Sequence, residues 1–472
     1  MRARVAVCAV ISILASFAAV PGRAQVAQEA QAGCGSAGGD ARSCRGVYHL
    51  VELAGVLCRQ AGGGRACANV DGRAIDKNLV RADEQSWLTR TLAAQRTLDD
   101  TEPLQEEQWS HTHNSFNAEA YRLTVYGLDP NQLYSITDQL RMGIRAIEID
   151  IHWALEPDGT PAHQFKRVAV CHGDQIGLGV HLGCGLGDPT LTDRLVEVRD
   201  WLQDHPEEVV MIYLENQLEN NRTAHIEARQ QISSVLGDLV YRPPAGSGCA
   251  TLPMDTSRAD IRSAGKRVII TGNCGPGTWR DWVFDRGPRW IENGTDYGDD
   301  YPASCTAERA AKHYDRNWIR YWGDETGLSN GTGGGGDITV HDAQNMTRCG
   351  VNMIGLDNLR PFDPRLLAQI WSWAPNEPSP GAVCAYQTRG GSFRGGDCAQ
   401  QRRFACRTGT DWVVTTQRGA WAQGPAACAA AGAHYDVPSG GWQNQLLITA
   451  KGSGEVWLDY AKRSGRWTPR VL

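Results

Sequence analysis

After the first 24 residues, this 472-residue chain has no run of about 18 apolar residues, so no later segment reads as a membrane-spanning helix. It has no run of five basic residues, and its formal net charge is only −6, which argues against a nucleic-acid backbone as partner. It also lacks a CxxC pair and any Cys/His spacing suited to zinc, which weakens a structural-metal reading. The stretch "GTGGGGD" from Gly331 to Asp337 has no following Lys-Ser/Thr, so it is not read as a nucleotide-phosphate loop. It is expected to be a mobile surface loop.

What is present begins with "MRARVAVCAVISILASFAAVPGRAQ". Arg2 and Arg4 precede an apolar run from Val5 to Val20 and small residues around Ala24, the three parts of a cleaved secretory signal. Fifteen cysteines become fourteen once Cys8 leaves with that signal, and an even number in an exported chain reads as disulfides. Short intervening loops favour Cys58 with Cys67 and Cys171 with Cys184. A secreted or periplasmic location follows.

Strand-like runs are read at residues 109–116, 144–152, 167–172, 209–215, 267–272, 318–322 and 352–356. Helical spacing appears in "SWLTRTLAAQRTL" (86–98), in "SITDQLRMGI", with Thr137 as cap and Gly143 as stop, in "TLTDRLVEVRDWLQDHPEEV", and in "ITVHDAQNMTRCG". Strand and helix alternating over some 250 residues predict an α/β fold, either a closed parallel barrel or an open doubly wound sheet.

The polar clusters decide between them. His113 and Asn114 follow the first strand, Glu148 and Asp150 lie in the second, His172 follows the third and Glu215 ends the fourth. A TIM-type (β/α) barrel, regular or distorted, gathers its strand ends around one mouth, whereas an open sheet spreads them in a line. Strand alternation sets Glu148 and Asp150 on the interior face and Ile147, Ile149 and Ile151 against the helices. Asn114, Glu148, Asp150 and Glu215 would then form an oxygen-rich Ca²⁺ site. Two imidazoles and a divalent cation meet the needs of phosphodiester cleavage: a base, an acid and positive charge on the phosphoryl oxygens.

Each residue also has a plainer reading. Glu148 and Asp150 could pair with Arg141 or Arg145, Glu215 and Asn216 could cap the next helix, and a lone His in "CHGD" is more often a loop hydrogen-bonding group. Four consecutive strand ends favour a site.

"THNSF", "QLRMGIRAIEIDIHW", "VCHGD" and "VVMIYLEN" resemble the successive signatures of the phosphatidylinositol-specific phospholipase C X-domain superfamily. The resemblance covers roughly residues 105–360 and implies a distorted TIM barrel with His113 and His172 as the catalytic pair. It implies Ca²⁺ ligation by Asn114, Glu148, Asp150 and Glu215, as in the calcium-dependent branch. "MIGLDNL" resembles the last barrel strand, which makes Asp357 a residue orienting His113. The implied reaction is attack by a hydroxyl neighbouring the phosphate. His113 would act as stabiliser or base and His172 as acid, with the histidine roles exchangeable and Glu148 or Glu215 as alternative bases. The implied partner is a phospholipid headgroup at a membrane surface. Glycerophosphodiester phosphodiesterases are an alternative, but their HRG signature is missing.

Beyond residue 375 tryptophans recur, and Cys384, Cys398, Cys406 and Cys428 cluster. This C-terminal part is similar to the two halves of a C-type lectin-like domain in reversed order, which implies pairing of Cys384 with Cys398 and Cys406 with Cys428, and carbohydrate as a second partner. The expected organisation is a signal peptide (1–24), a lead-in with a helical segment (25–104), a phosphodiesterase barrel (105–375) and a small disulfide-rich, β-rich domain (376–472). A second function class is a catalytically silent barrel serving a sugar- or surface-binding protein.

Overall fold

The computed structural model describes residues 77–121, 130–157, 164–172, 174–175, 181–182, 184, 188–287, 290–291, 319–324 and 338–469. The signal and lead-in up to Gly46, the Cys58–Cys67 pairing and the 331–337 loop lie outside the described residues.

Helices α1 (Lys77–Glu84) and α2 (Trp87–Arg96) lead in, with Ser86 capping the second by accepting from Thr89 N at 3.2 Å. The main sheet then follows as β1 (Trp109–Thr112), β2 (Ala146–Pro157), β3 (Gln164–Val170), β4 (Val210–Gln217) and β5 (Val240–Tyr241). It continues as β6 (Val268–Gly272), β7 (Phe284–Asp285), β8 (Trp290–Ile291), β9 (Ile319–Gly323) and β10 (Met353–Gly355). Helices interleave: α3 (Ile136–Arg141), α4 (Leu191–Asp204), α5 (Arg222–Val235), α6 (Arg258–Ser263), α7 (Val340–Cys349) and α8 (Pro364–Ala368).

The strand order is β8-β9-β10-β1-β2-β4-β6-β5, with β7 beside β6 and β3 beside β2. Last and first strands are neighbours, Trp109 lying across from Met353, as a curled sheet requires. One buried cluster joins Trp109, Ala146, Met211, Tyr213, Ile269, Phe284, Tyr321 and Met353 from seven different strands, which only an inward-curled sheet allows. The opposite faces, Ile147, Ile149, Ile151, Ile212, Leu214 and Ile270, pack against Leu195, Val198, Ala228 and Ile232 of the helices. Each isoleucine buried there contributes about 1.5–3 kcal/mol. The fold is thus an α/β half-barrel, the distorted form of the expected one.

Two details depart from the sequence reading. Helix α3 is capped by Ser135, two residues before Thr137; Thr137 instead donates to Glu197 at 3.0 Å. Strand β3 is antiparallel to β2, because β2 runs twelve residues, past the mouth, and the chain returns along it as a hairpin instead of crossing through a helix.

The floor of the barrel is ionic. Arg258, 3% exposed, pairs with the fully buried Asp99 and, at 3.2 Å, with Glu107, and its guanidinium stands 5.2 Å from the Trp109 ring. Burial pushes Asp99 up to about 6, although Arg258 opposes it, so desolvation outweighs pairing even here.

A second sheet is built from β11 (Cys384–Gln387), β12 (Phe393–Gly396), β13 (Arg403–Thr408), β14 (Asp411–Val414), β15 (His434–Tyr435), β16 (Val456–Arg463) and β17 (Arg466–Pro469). Helices α9 (Gly424–Ala430) and α10 (Gly441–Lys451) accompany it, and its strand path is β12-β11-β16-β13-β14. Cys384–Cys398 and Cys406–Cys428 are bridged, as are Cys171–Cys184 and Cys249–Cys274. The two sheets are joined by burial. Leu98 enters the second sheet's core, Trp87 donates to Glu377 O at 2.6 Å, and α10 approaches α7 so closely that a Cβ at Gly441 would run into the Thr347 carbonyl.

Replacing Arg258 by Met leaves Asp99 and Glu107 buried without their cation. We expect a loss of about 3–5 kcal/mol in urea unfolding. A loss under about 1 kcal/mol would show that the pairs contribute little.

Candidate active site

The register fixes the site. Glu148 stands beside Tyr213, and Asp150 beside Glu215, on parallel neighbours β2 and β4. Carboxylate oxygens of Glu148, Asp150 and Glu215 consequently lie within 4.8 Å of one another. Burial pushes the Asp150 carboxyl well above its ordinary value, and Glu215 and Glu148 push it further. The plainer readings do not describe these residues. Arg145 bonds Glu208 at 2.8 Å, Arg141 faces Asp138 at 3.5 Å, and α5 is capped by Asn221 instead of Glu215 or Asn216.

Asn114 sits where β1 ends. Its φ of 45° is left-handed backbone, which Asn tolerates better than most residues, and turns the chain so that Asn114 N donates to Glu148 Oε2 at 3.2 Å. Ser115 Oγ accepts from Glu148 N at 2.9 Å and donates to Thr112 O at 2.7 Å, tying the turn to β2. The Asn114 amide lies between carboxylate and imidazole. In one orientation its nitrogen donates to both Asp150 oxygens at 3.2 Å while its oxygen accepts from His113 Nε2 at 3.1 Å. In the other its nitrogen meets His113 Nε2 and its oxygen faces the carboxylates, an arrangement a cation among them favours.

His113 Nδ1 is 3.1 Å from the fully buried Asp357 Oδ1. Burial works against a charge on this imidazole, but Asp357, then Glu148 and Asp150, more than offset it and push its pKa up to about 10. Asp357 is itself held: its N–H donates to Asp324 Oδ2 at 2.7 Å, and Arg365 reaches both Asp324 Oδ2, at 2.9 Å, and Asp357 O, at 2.8 Å. His172 follows β3 on the returning hairpin, exposed, with Nδ1 3.3 Å from Asn117 Nδ2. Asn117 in turn donates to Asn131 Oδ1 at 2.8 Å, and Asn131 donates to Asp357 Oδ2 at 3.3 Å.

All seven residues singled out in the sequence therefore stand around one mouth. The sequence reading missed Asp324, Arg365, Asn117 and Asn131. Asp324 directly follows strand β9 in "YWGD", the same strand-end signal that marks the others. It also missed Arg286, whose guanidinium lies 4.7 Å from the Tyr213 ring beside Glu148.

The donor set fits a hard divalent cation: three carboxylates and one amide oxygen, with no sulfur or imidazole needed. Two acid/base groups beside such a pocket suit phosphoryl chemistry.

Comparison with known proteins gives the family of this chain. The chain belongs to the family whose model is described as the Rv2075c PI-PLC-like domain, matched over residues 73–363. It is 36% identical over 442 residues to the uncharacterized protein Rv2075c of Mycobacterium tuberculosis, covering 88% of each chain. Among solved structures it is similar to the phosphatidylinositol-specific phospholipase C of Listeria monocytogenes, with 16% identity, a TM-score of 0.38, and coverage of 59% of this chain and 97% of the other. It is likewise similar to a calcium-dependent phosphoinositol-specific phospholipase C from a Pseudomonas species, with 16% identity, a TM-score of 0.33, and coverage of 57% and 93%.

In the absence of metal, the carboxylate cluster opposes folding. A carboxyl held above its unfolded value binds its proton more tightly in the native state, so stability in chelator falls as pH rises above the Asp150 reference of 3.8. Asp150→Asn is expected to raise the chelator-state unfolding free energy at pH 7 by about 1–2 kcal/mol. Destabilisation instead would mean that Asp150 is satisfied without a cation.

Proposed function

We propose that the protein is an exported, Ca²⁺-assisted phosphodiesterase of phospholipase C type that cleaves phosphatidylinositol-class lipids at a membrane surface. The observation that carries the reading is the meeting of His113–Asp357 and His172 with the Glu148, Asp150 and Glu215 carboxylates at one mouth. The family membership agrees with it. The disulfides agree with an oxidising compartment outside the cytosol.

Asn114, Glu148, Asp150 and Glu215 would hold the cation. Bound there, Ca²⁺ would supply positive charge to the phosphoryl oxygens and to the hydroxyl about to ionise. The chain's own groups move the protons. Asp357 accepts the Nδ1 proton of His113, and a cation that offsets the Glu148 and Asp150 charges favouring the imidazolium would free Nε2, once it parts from the Asn114 amide, to take the proton of a hydroxyl adjacent to the phosphate. As that oxygen bonds to phosphorus, the bond from phosphorus to the diacylglycerol oxygen breaks, and the leaving oxygen receives the His172 proton. The products are diacylglycerol and a cyclic phosphate. Arg286, at the same mouth, is placed to attract the anionic headgroup.

For the second sheet the burial of Leu98 and the Trp87–Glu377 bond support a packing role. Carbohydrate binding, implied by the lectin-like resemblance, is a separate proposal that a glycan array tests.

The test is release of water-soluble phosphate ester from phosphatidylinositol vesicles. Chelator is expected to abolish release, His113→Ala and His172→Ala each to lower kcat by about 10²–10⁴, and Asp357→Asn by about 10–100-fold. Chelator-insensitive release would remove calcium from the proposal, and no release from folded wild-type protein would overturn it.

A further inference from the structure

Glu215 differs from the other carboxylates of the cluster in what surrounds it. Glu148 and Asp150 are buried on β2, and Glu148 Oε2 accepts from the Asn114 backbone. Glu215 is half-buried near the end of β4, where packing alone leaves its side chain more freedom. Two residues on, Gln217 ends the strand on the same inward face. Register pairs it with His152, one step farther out than the Asp150–Glu215 pair. Gln217 Nε2 lies 2.8 Å from Glu215 Oε1, and because a carboxylate can only accept, it is the amide N–H that faces Glu215.

The backbone that carries both side chains is fixed from outside the barrel. Asn216, between them, has its Oδ1 accepting from Leu218 N at 3.0 Å, which sets its amide and leaves Nδ2 to donate to His225 Nε2 at 3.0 Å. His225, on α5, donates through Nδ1 to Asn221 O at 2.8 Å. Its buried ring meets Trp279 edge to face, with centroids 5.2 Å apart, and a Cβ at Gly275 would run into it. The end of β4 is thereby clamped to α5, and Gln217 reaches Glu215 from a fixed base.

We propose that Gln217 is a positioning residue for the metal site, whose amide N–H fixes the rotation of the Glu215 carboxylate before the cation arrives and so favours Ca²⁺ over Mg²⁺. The inference rests on the Ca²⁺ site of the proposed function. A glutamate at a strand end has several rotamers, and an ion that uses it must otherwise pay to select one. The cost falls unequally on different ions. Ca²⁺ takes about 6–8 oxygens and draws on every carboxylate of the cluster, whereas Mg²⁺ keeps several of its waters and uses about one or two carboxylates. Glu148 and Asp150 meet that smaller need, so Mg²⁺ gains little from an ordered Glu215.

Gln217→Met tests this, because it keeps the length of the side chain and removes the N–H. With the fold checked by circular dichroism, calorimetric titrations without substrate are expected to show the Kd for Ca²⁺ raised by about 10–100-fold. The Kd for Mg²⁺ is expected to rise by less than about 3-fold. A residue that merely supported the fold would weaken both ions alike. An unchanged Kd for Ca²⁺, or equal losses for the two ions, overturns the inference and leaves the calcium reading standing. Wild-type protein that binds no Ca²⁺ overturns both.

Discussion

Like charges forced together at the ends of two parallel strands are the constraint on which the rest of this structure depends. Neighbours β2 and β4 share one register, and alternation puts every second side chain inward, so Asp150 and Glu215 must stand side by side with Glu148 next to them. No local rearrangement separates them without slipping the register, which would expose Ile147, Ile149 and Ile151. The hydrophobic face of the strand thus pins the electrostatically unfavourable face, and the strain is held where a cation can relieve it.

Around that cluster the polar groups divide into two layers. Asn114, turned by its left-handed backbone, touches both the carboxylates and His113. Behind it, Asp357 holds His113, Asp324 and Arg365 hold Asp357, and the Asn131–Asn117 pair extends the same carboxylate's reach to His172. At the other end of the barrel the charges are paired instead of clustered, with Arg258 between Asp99 and Glu107. The contrast is physical: opposite charges close the floor, and like charges open the mouth to a ligand.

Much of this was legible in the sequence. Apolar alternation in "IRAIEIDIHW" located β2 and its inward carboxylates, and the helical spacing of "TLTDRLVEVRDWLQDHPEEV" and "ITVHDAQNMTRCG" located two helices, which the structure caps with Thr190 and Thr339. The antiparallel β3 was not legible, because period-two alternation carries no direction. Ser135 and Thr137 are both good caps, and only the bond to Glu197 from a distant helix decides between them. Asn117 and Asn131 escaped for a related reason. Each is an ordinary polar loop residue until Asp357, more than two hundred positions away, fixes which way its amide points.

Calorimetric titration of Ca²⁺ into chelator-treated protein reaches the central claim most directly, because it asks of the cluster what the barrel's register implies and needs no substrate. The account predicts one ion bound per chain and loss of that binding in Glu148→Gln. A folded wild-type protein that takes up no Ca²⁺, or a Glu148→Gln protein that binds it unchanged, would contradict it.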